Sequence, residues 1–149
     1  MTIRSIATAL ALGLAGISQP ASAGPDAATA ISEADMATID SMADKLFGEL
    51  RAGDVEAAYH DFFASSKLAM AKPTAFEKAI AQTRGTLDIY GPIVACEQVD
   101  SSGVGSFVHY RTYVCQHTDF LTSWQLAFFK TSGGWIGANL HFTDQPTEP

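Results

Sequence analysis

The spacing of the apolar residues changes near residue 90, and this change constrains the fold more than any other feature of the sequence. Before residue 90, apolar side chains recur every three or four positions, which is typical of amphipathic helices. After it, the chain is rich in Val, Phe, Tyr and Trp in short runs, which is typical of strands. Helices that precede a run of strands predict an α+β domain, with the helices packed on one face of a four-stranded antiparallel meander.

Turn and cap residues divide the first half into three predicted helices. The first begins after Ser32, which starts an approximate capping box, and ends at Gly53. A short second helix follows the capping residue Asp54. The third begins with the capping box that Thr74 opens and ends near Gly85. The four predicted strands are Ile93–Val99, Phe107–Gln116, Thr122–Lys130 and Trp135–Phe142.

Residues 1–23 have the three parts of a secretory signal peptide. Arg4 supplies the positive start, residues 6–17 form an apolar run, and Ala21-Ser22-Ala23 is a cleavage pattern of small residues. We therefore expect an exported mature protein, periplasmic or secreted, that does not insert into a membrane. Residues 24–32 are predicted to be a flexible lead, 33–143 a single domain, and 144–149 a flexible tail.

Composition restricts the partners. Of 149 residues, 47% are hydrophobic, so the chain can bury a core, and the formal net charge is −7. An acidic excess argues against nucleic acid, because nucleic-acid binding depends on Lys and Arg that neutralise phosphates. The four His residues lack the close spacing of a zinc site, so no metal and no cofactor are predicted.

The two cysteines predict a disulfide between Cys96 and Cys115, because exported proteins fold in oxidising compartments. Opposed cysteines require a hairpin that turns at Gly105-Ser106. That register predicts that both cysteines point away from the helices and that Glu97 points toward them. A hairpin centred nearer Ser102-Gly103 is the alternative, and it would leave Glu97 outside.

The sequence also resembles a known superfamily. Leu46-Phe47, Gly53-Asp54 and Ala57-Ala58-Tyr59, followed by strands that close on residues 124–130 and on Gly134-Trp135, are similar to the nuclear-transport-factor-2-like (NTF2-like) superfamily. The resemblance covers roughly residues 33–143, and its motifs are packing and turn residues. It implies a curved sheet around helices that forms a cone with a pocket. The superfamily includes isomerases, dehydratases, epoxide hydrolases and members without catalysis.

Strand alternation predicts which side chains face that pocket. If the turn before the third strand is centred on Asp119, Trp124 lies opposite Val114, so Tyr110 and Thr112 point toward the helices. The predicted pocket residues are Tyr59, Phe62, Glu97, Tyr110, Thr112 and Trp124. A core filled by side chains, with no cavity, is the open alternative.

The opposite face of the predicted sheet is unusually aromatic for a surface in water. Such patches commonly mark contacts, and the resemblance implies dimerisation through this side of the sheet. The predicted dimer face comprises Phe107, His109, Tyr113, Phe129, Trp135 and His141.

Three functions are compatible with these patterns. The first is an exported, non-catalytic homodimer that holds a small apolar or aromatic ligand. The second is a small lyase, isomerase or hydrolase in which Glu97 and Tyr110, with His60 or Tyr59 nearby, perform acid/base chemistry. The third is an accessory module that binds another protein through the aromatic outer face.

Overall fold

The computed structural model describes residues 31–144 and has all helices before all strands. The helices are α1 (Glu33–Arg51), α2 (Val55–Phe62), α3 (Lys67–Met70) and α4 (Pro73–Tyr90). The strands are β1 (Ile93–Val104), β2 (Val108–His117), β3 (Leu121–Thr131) and β4 (Gly134–Thr143). They form one antiparallel sheet in the order β1-β2-β3-β4. The predicted α+β class and the meander are confirmed.

The first two helices begin where their capping residues predict. Ser32 Oγ accepts a hydrogen bond from the Asp35 backbone N–H at 3.2 Å. The Asp54 carboxylate accepts one from the Ala57 N–H at 3.1 Å. Each cap satisfies an N–H that has no partner inside its helix. The predicted signal peptide, residues 1–23, lies outside the described residues, and among the described helices none is long and apolar enough to cross a membrane.

The third predicted helix, which is α4 in the structure, differs from its prediction at both ends. It begins at Pro73, after the N-cap Lys72, and Thr74 lies inside it. Proline suits the first helical position because it has no N–H to leave unpaired. The helix continues through Gly85 to Tyr90 and ends at Gly91, whose φ of 81° is the left-handed conformation that glycine adopts easily. A glycine inside a helix costs only about 1 kcal/mol, so Gly85 alone does not end one.

The register of β2 and β3 is displaced by one residue from the prediction. Trp124 pairs with Tyr113, not with Val114. The chain reverses in a turn closed by a hydrogen bond from the His117 N–H to the Phe120 carbonyl, at 2.8 Å, so its centre lies half a residue before Asp119. Because side chains alternate, a slip of one residue sends every side chain of β2 to the opposite face.

The predicted faces of β2 are therefore reversed. His109, Arg111 and Tyr113 are buried on the face toward the helices, whereas Tyr110 and Thr112 lie on the other, which we call the outer face. The assignment of Tyr110 and Thr112 to the helix side was wrong, as was the assignment of His109 and Tyr113 to the outside.

A β-bulge at Ala138 changes the faces of β4 partway along the strand. Leu126 pairs with Leu140, but after the register shift Phe128 pairs with Gly137 and Lys130 with Trp135. The extra residue reverses the alternation, so Trp135 is buried on the helix side and Ile136 turns outward. The prediction of an outward Trp135 did not include a bulge and was wrong.

The predicted disulfide is present, but its orientation is opposite to the expectation. Cys96 pairs with Cys115 across β1 and β2, with Cα atoms 4.0 Å apart. Cys115 is fully buried on the helix side, so the adjacent Glu97 is exposed on the outer face. Val104 pairs with Val108 around the turn, which has Gly105 at positive φ. The pairing of the cysteines was correct, and the direction of the strand faces was not.

Candidate functional site

A cleft of about 560 Å³ separates α4 from the end of β4. It lies between the C-terminal half of α4 and β4, which is an edge strand of the sheet. The lining residues are Tyr59, Ala79, Gln82, Gly85, Thr86, Ile89, Tyr90, Leu140, His141, Phe142, Thr143 and Asp144.

The helix wall of the cleft contains a glycine that local packing does not require. A Cβ atom at Gly85 would meet nothing within 4 Å. Alanine would therefore fit, and it would favour the helix by about 1 kcal/mol. On the same wall, the large aliphatic side chain of Ile89 is 72% exposed. The wall is therefore apolar at its edge and has free space beside it.

Aromatic residues form the floor of the cleft. Phe142 stacks on Trp124, with ring centroids 4.8 Å apart and planes at 25°. The Tyr59 hydroxyl lies 2.7 Å from the Thr83 hydroxyl, and both residues are buried. Burial raises the pKa of Tyr59 to about 12, so its phenol is uncharged at neutral pH. The floor is therefore mainly apolar and uncharged.

One end of the cleft is polar and negatively charged. The Tyr90 hydroxyl donates a hydrogen bond to Asp144 at 3.0 Å, and the Tyr90 ring stacks on Phe120 at 4.5 Å. The hydrogen bond to Asp144 raises the pKa of Tyr90, since loss of the phenol proton would place two negative charges together. Among the described residues that line the cleft, none is Lys or Arg.

The space beneath α1 and α2 is filled, in contrast to the cleft. The Phe62 ring packs edge-on against Phe128 at 5.6 Å. A Cβ at Gly137 would overlap the Phe62 carbonyl oxygen and approach its ring to 2.7 Å, so only glycine allows α2 to lie this close to β4. Asp35 fixes the start of α1 by accepting hydrogen bonds from Lys130 Nζ at 2.7 Å and Trp135 Nε1 at 2.8 Å.

A buried polar cluster connects α1 to β2, and the sequence reading did not find it. Arg111, 3% exposed, contacts Asp40 at 2.5 Å and donates to the Tyr113 hydroxyl at 3.2 Å. His109 Nε2 lies 3.1 Å from Ser101 Oγ. Burial, with the neighbouring Arg111 charge, lowers the pKa of His109, which favours the neutral imidazole. The signal was present as polar residues at alternate positions of β2, but the slipped register assigned them to the surface.

The predicted catalytic residues do not share a cavity. Glu97 and Tyr110 both lie on the outer face, where their pairing partners Val114 and Ser102 place them about four residues apart along β2, roughly 13 Å at the rise of a strand. His60 is exposed on α2, with its ring 5.0 Å from that of Phe76. The geometry therefore offers no acid/base pair among these three residues.

The predicted pocket residues separate into two groups. Tyr59, Phe62 and Trp124 are buried between helices and sheet, and Glu97, Tyr110 and Thr112 are on the outer face. Of these six, Tyr59 lines the cleft. The other lining residues belong mainly to α4 and β4, and the sequence did not assign them to a pocket.

The predicted dimer face is also divided. Phe107, Phe129 and His141 are exposed, whereas His109, Tyr113 and Trp135 are buried beneath the helices. Within residues 31–144 no group of three or more His, Cys, Asp or Glu is placed to hold a metal ion.

The chain is similar in structure to a solved protein and matches no known sequence family. No family model and no curated protein matches the chain. A crystal structure at 2.00 Å, from Campylobacter jejuni and named as that of an NTF2-like transpeptidase, is similar with a TM-score of 0.51 at 12% identity. The match covers 66% of this chain and 95% of the other.

The helices, the four-stranded meander and this likeness together define an NTF2-like fold. The resemblance found in the sequence is thereby confirmed at the level of the fold. At 12% identity the likeness concerns architecture, and the name of the neighbour describes that protein alone.

Proposed function

We propose that the protein is an exported, non-catalytic binding domain that holds a small apolar or aromatic ligand in the cleft between α4 and β4. The cleft itself carries the proposal. Its volume of about 560 Å³ lies within the range of about 300–1,000 Å³ that is typical of small-molecule sites. It combines an aromatic floor with a few polar groups at one end, which is the usual composition of such sites.

Gly85 supports this assignment. Its missing side chain leaves room inside the cleft, although alanine would make α4 more stable. A larger side chain at this position would project into the space where a ligand would lie. The exposed Ile89 on the same wall would then be covered by the ligand.

Titration with Nile red, an uncharged aromatic dye, tests the proposal. We expect the dye to bind with increased fluorescence and Gly85→Leu to weaken this binding at least tenfold. Ala81→Leu is the matched control, because Ala81 is exposed on the same helix and does not line the cleft. Equal dye binding by both variants and the unmodified protein would overturn the proposal.

Native mass spectrometry of protein exported into an oxidising compartment gives a second readout. Extra mass that is retained in the native spectrum and released on denaturation would be a ligand acquired in the cell. The same spectrum tests export, because cleavage after Ala23 removes the first 23 residues. An uncleaved chain from an export-competent host would contradict the localisation.

We further propose that the outer face of the sheet forms a homodimer. Exposed apolar side chains, among them Val104, Tyr110 and Phe129, lie on this face between polar ones. Tyr110 is 44% exposed and Phe129 is 42% exposed. Apolar patches of this kind commonly mark protein contacts.

Sedimentation tests the dimer with a variant that the fold tolerates. Tyr110→Glu places a charge on the outer face and should give a folded monomer that still binds Nile red. Trp135 is unsuitable for this test, because it is buried and bonded to Asp35. An unmodified protein that sediments as a monomer at micromolar concentration would contradict the proposal and favour the accessory-module alternative.

A further inference from the structure

The charged groups around the cleft indicate which polar end group a mainly apolar ligand would carry. Asp144 stands at the polar end, held by the Tyr90 hydroxyl at 3.0 Å. The described lining includes no Lys or Arg that could neutralise this carboxylate or receive an anionic ligand. Across the whole chain the formal charge is also negative, at −7.

We infer that the cleft selects a cationic amphiphile, an amine joined to an aromatic or aliphatic body, with its ammonium group against Asp144. This inference rests on the proposed function, and it names the class of ligand. The apolar body would lie on Phe142 and beside Gly85, while the ammonium group would donate to the Asp144 carboxylate.

The hydroxyl of Tyr90 has a defined part in this arrangement. By donating to one carboxylate oxygen it restricts the orientation of Asp144. Because this hydrogen bond is charge-assisted, it is stronger than a bond between neutral groups. The other lone pairs of the carboxylate remain able to accept from a ligand, since an ionised carboxylate has about four acceptor positions. Tyr90 is thus a positioning residue for the proposed ion pair.

A carboxylate ligand would meet the opposite situation. Its charge would approach Asp144, and the described lining includes no Lys or Arg to offset the repulsion. A neutral alcohol of the same shape would retain the apolar contacts and lose only the ion pair. Three molecules with one carbon skeleton and different end groups therefore separate charge from shape.

Calorimetric titration with phenylpropylamine, phenylpropanol and phenylpropanoate at neutral pH tests the inference. We expect the amine to bind about tenfold more tightly than the carboxylate, with the alcohol between them, as a partly exposed charge interaction predicts. Asp144→Asn should reduce the difference between amine and carboxylate to less than about twofold. Tyr90→Phe should reduce it partly, because the carboxylate is retained.

Asp88→Asn is the matched control. Asp88 is exposed on α4 and does not line the cleft, so the same change of acid to amide should leave the selectivity unaltered. Equal binding of the three molecules, with each still weakened by Gly85→Leu, would overturn the charge inference and leave the binding site standing. Binding by none of the three, together with no binding of Nile red, would overturn both.

Discussion

The two halves of the interface between helices and sheet are built differently. Under α1 and α2, which we call the filled half, aromatic rings, a close contact at Gly137 and the ion pair between the buried Arg111 and Asp40 fill the space between the layers. Under the C-terminal half of α4, which we call the open half, a helix with a glycine in its wall borders a cleft of about 560 Å³. One fold can therefore be closely packed in one half and leave an open cleft in the other.

The largest expected effect comes from Gly137 in the filled half. Gly137→Ala would place a methyl group on the Phe62 carbonyl, and backbone atoms cannot move aside as a flexible side chain can. We expect a loss of about 3 kcal/mol in the free energy of unfolding, at the upper end of overpacking effects. Urea denaturation measures it.

Gly133→Ala is the control for that change. Gly133 lies in the hairpin before β4, and its Cβ would make only an ordinary contact of 3.7 Å with Thr131 Oγ1. Its effect should remain within about 0.5 kcal/mol. Similar losses at both glycines would show that the filled half is less tightly packed than the structure indicates.

The next effect concerns the ion pair that connects α1 to β2. Asp40→Asn removes the charge partner of a guanidinium that is 3% exposed, and should cost about 2 kcal/mol, less than for a fully buried pair because Asp40 itself is 57% exposed. Adding Arg111→Met should recover most of that loss, since an apolar side chain needs no partner.

Urea denaturation of the two single variants and the double variant measures this coupling. Asp44→Asn, exposed on the same helix, is the control for a general charge effect. If Asp40→Asn and Asp44→Asn have equal and small effects, Arg111 does not depend on Asp40.

Some features of the structure depend on local sequence patterns, and others depend on the geometry of the turns. The order of the elements, the caps at Ser32 and Asp54 and the pairing of the cysteines depend on local patterns, and they were predicted. The strand faces depend on turn geometry. Moving the centre of the turn by half a residue from Asp119 sends every side chain of β2 to the opposite face of the sheet. The bulge at Ala138 reverses the faces of the β4 residues that precede it.

The cleft could not be predicted for a different reason. A cavity forms where side chains of neighbouring elements do not contact each other, and this depends on the distance between the helix and the sheet. The sequence pattern predicts that Gly85 ends the helix, because the sequence alone does not distinguish a glycine that leaves space from a glycine that ends a helix. Distinguishing them requires the path of the backbone after residue 85.

The pH dependence of stability should reveal the Asp35 anchor of the filled half. Hydrogen bonds from Lys130, Ser32 and Trp135 lower the pKa of Asp35 from 3.8 to about 2. A lowered folded-state pKa contributes stability above the unfolded value, and this contribution is lost as the pH falls from about 4 toward 2. Asp35→Asn should therefore lower Tm near neutral pH, with a difference that shrinks on acidification. A difference that stays constant with pH would assign the effect to shape instead of charge.

The smallest expected effect has the opposite sign and belongs to the open half. Gly85→Ala should raise the free energy of unfolding by up to about 1 kcal/mol, because alanine restricts the unfolded chain and its methyl group meets nothing within 4 Å. Gly48→Ala on α1 is the matched control, since a Cβ there also meets nothing within 4 Å. Both variants should be stabilised to a similar extent in urea. Only the Gly85 series, from alanine to leucine, should lose affinity for Nile red as the side chain grows. A gain in stability at Gly85 without any loss of dye binding would show that the space beside this glycine is not where a ligand lies.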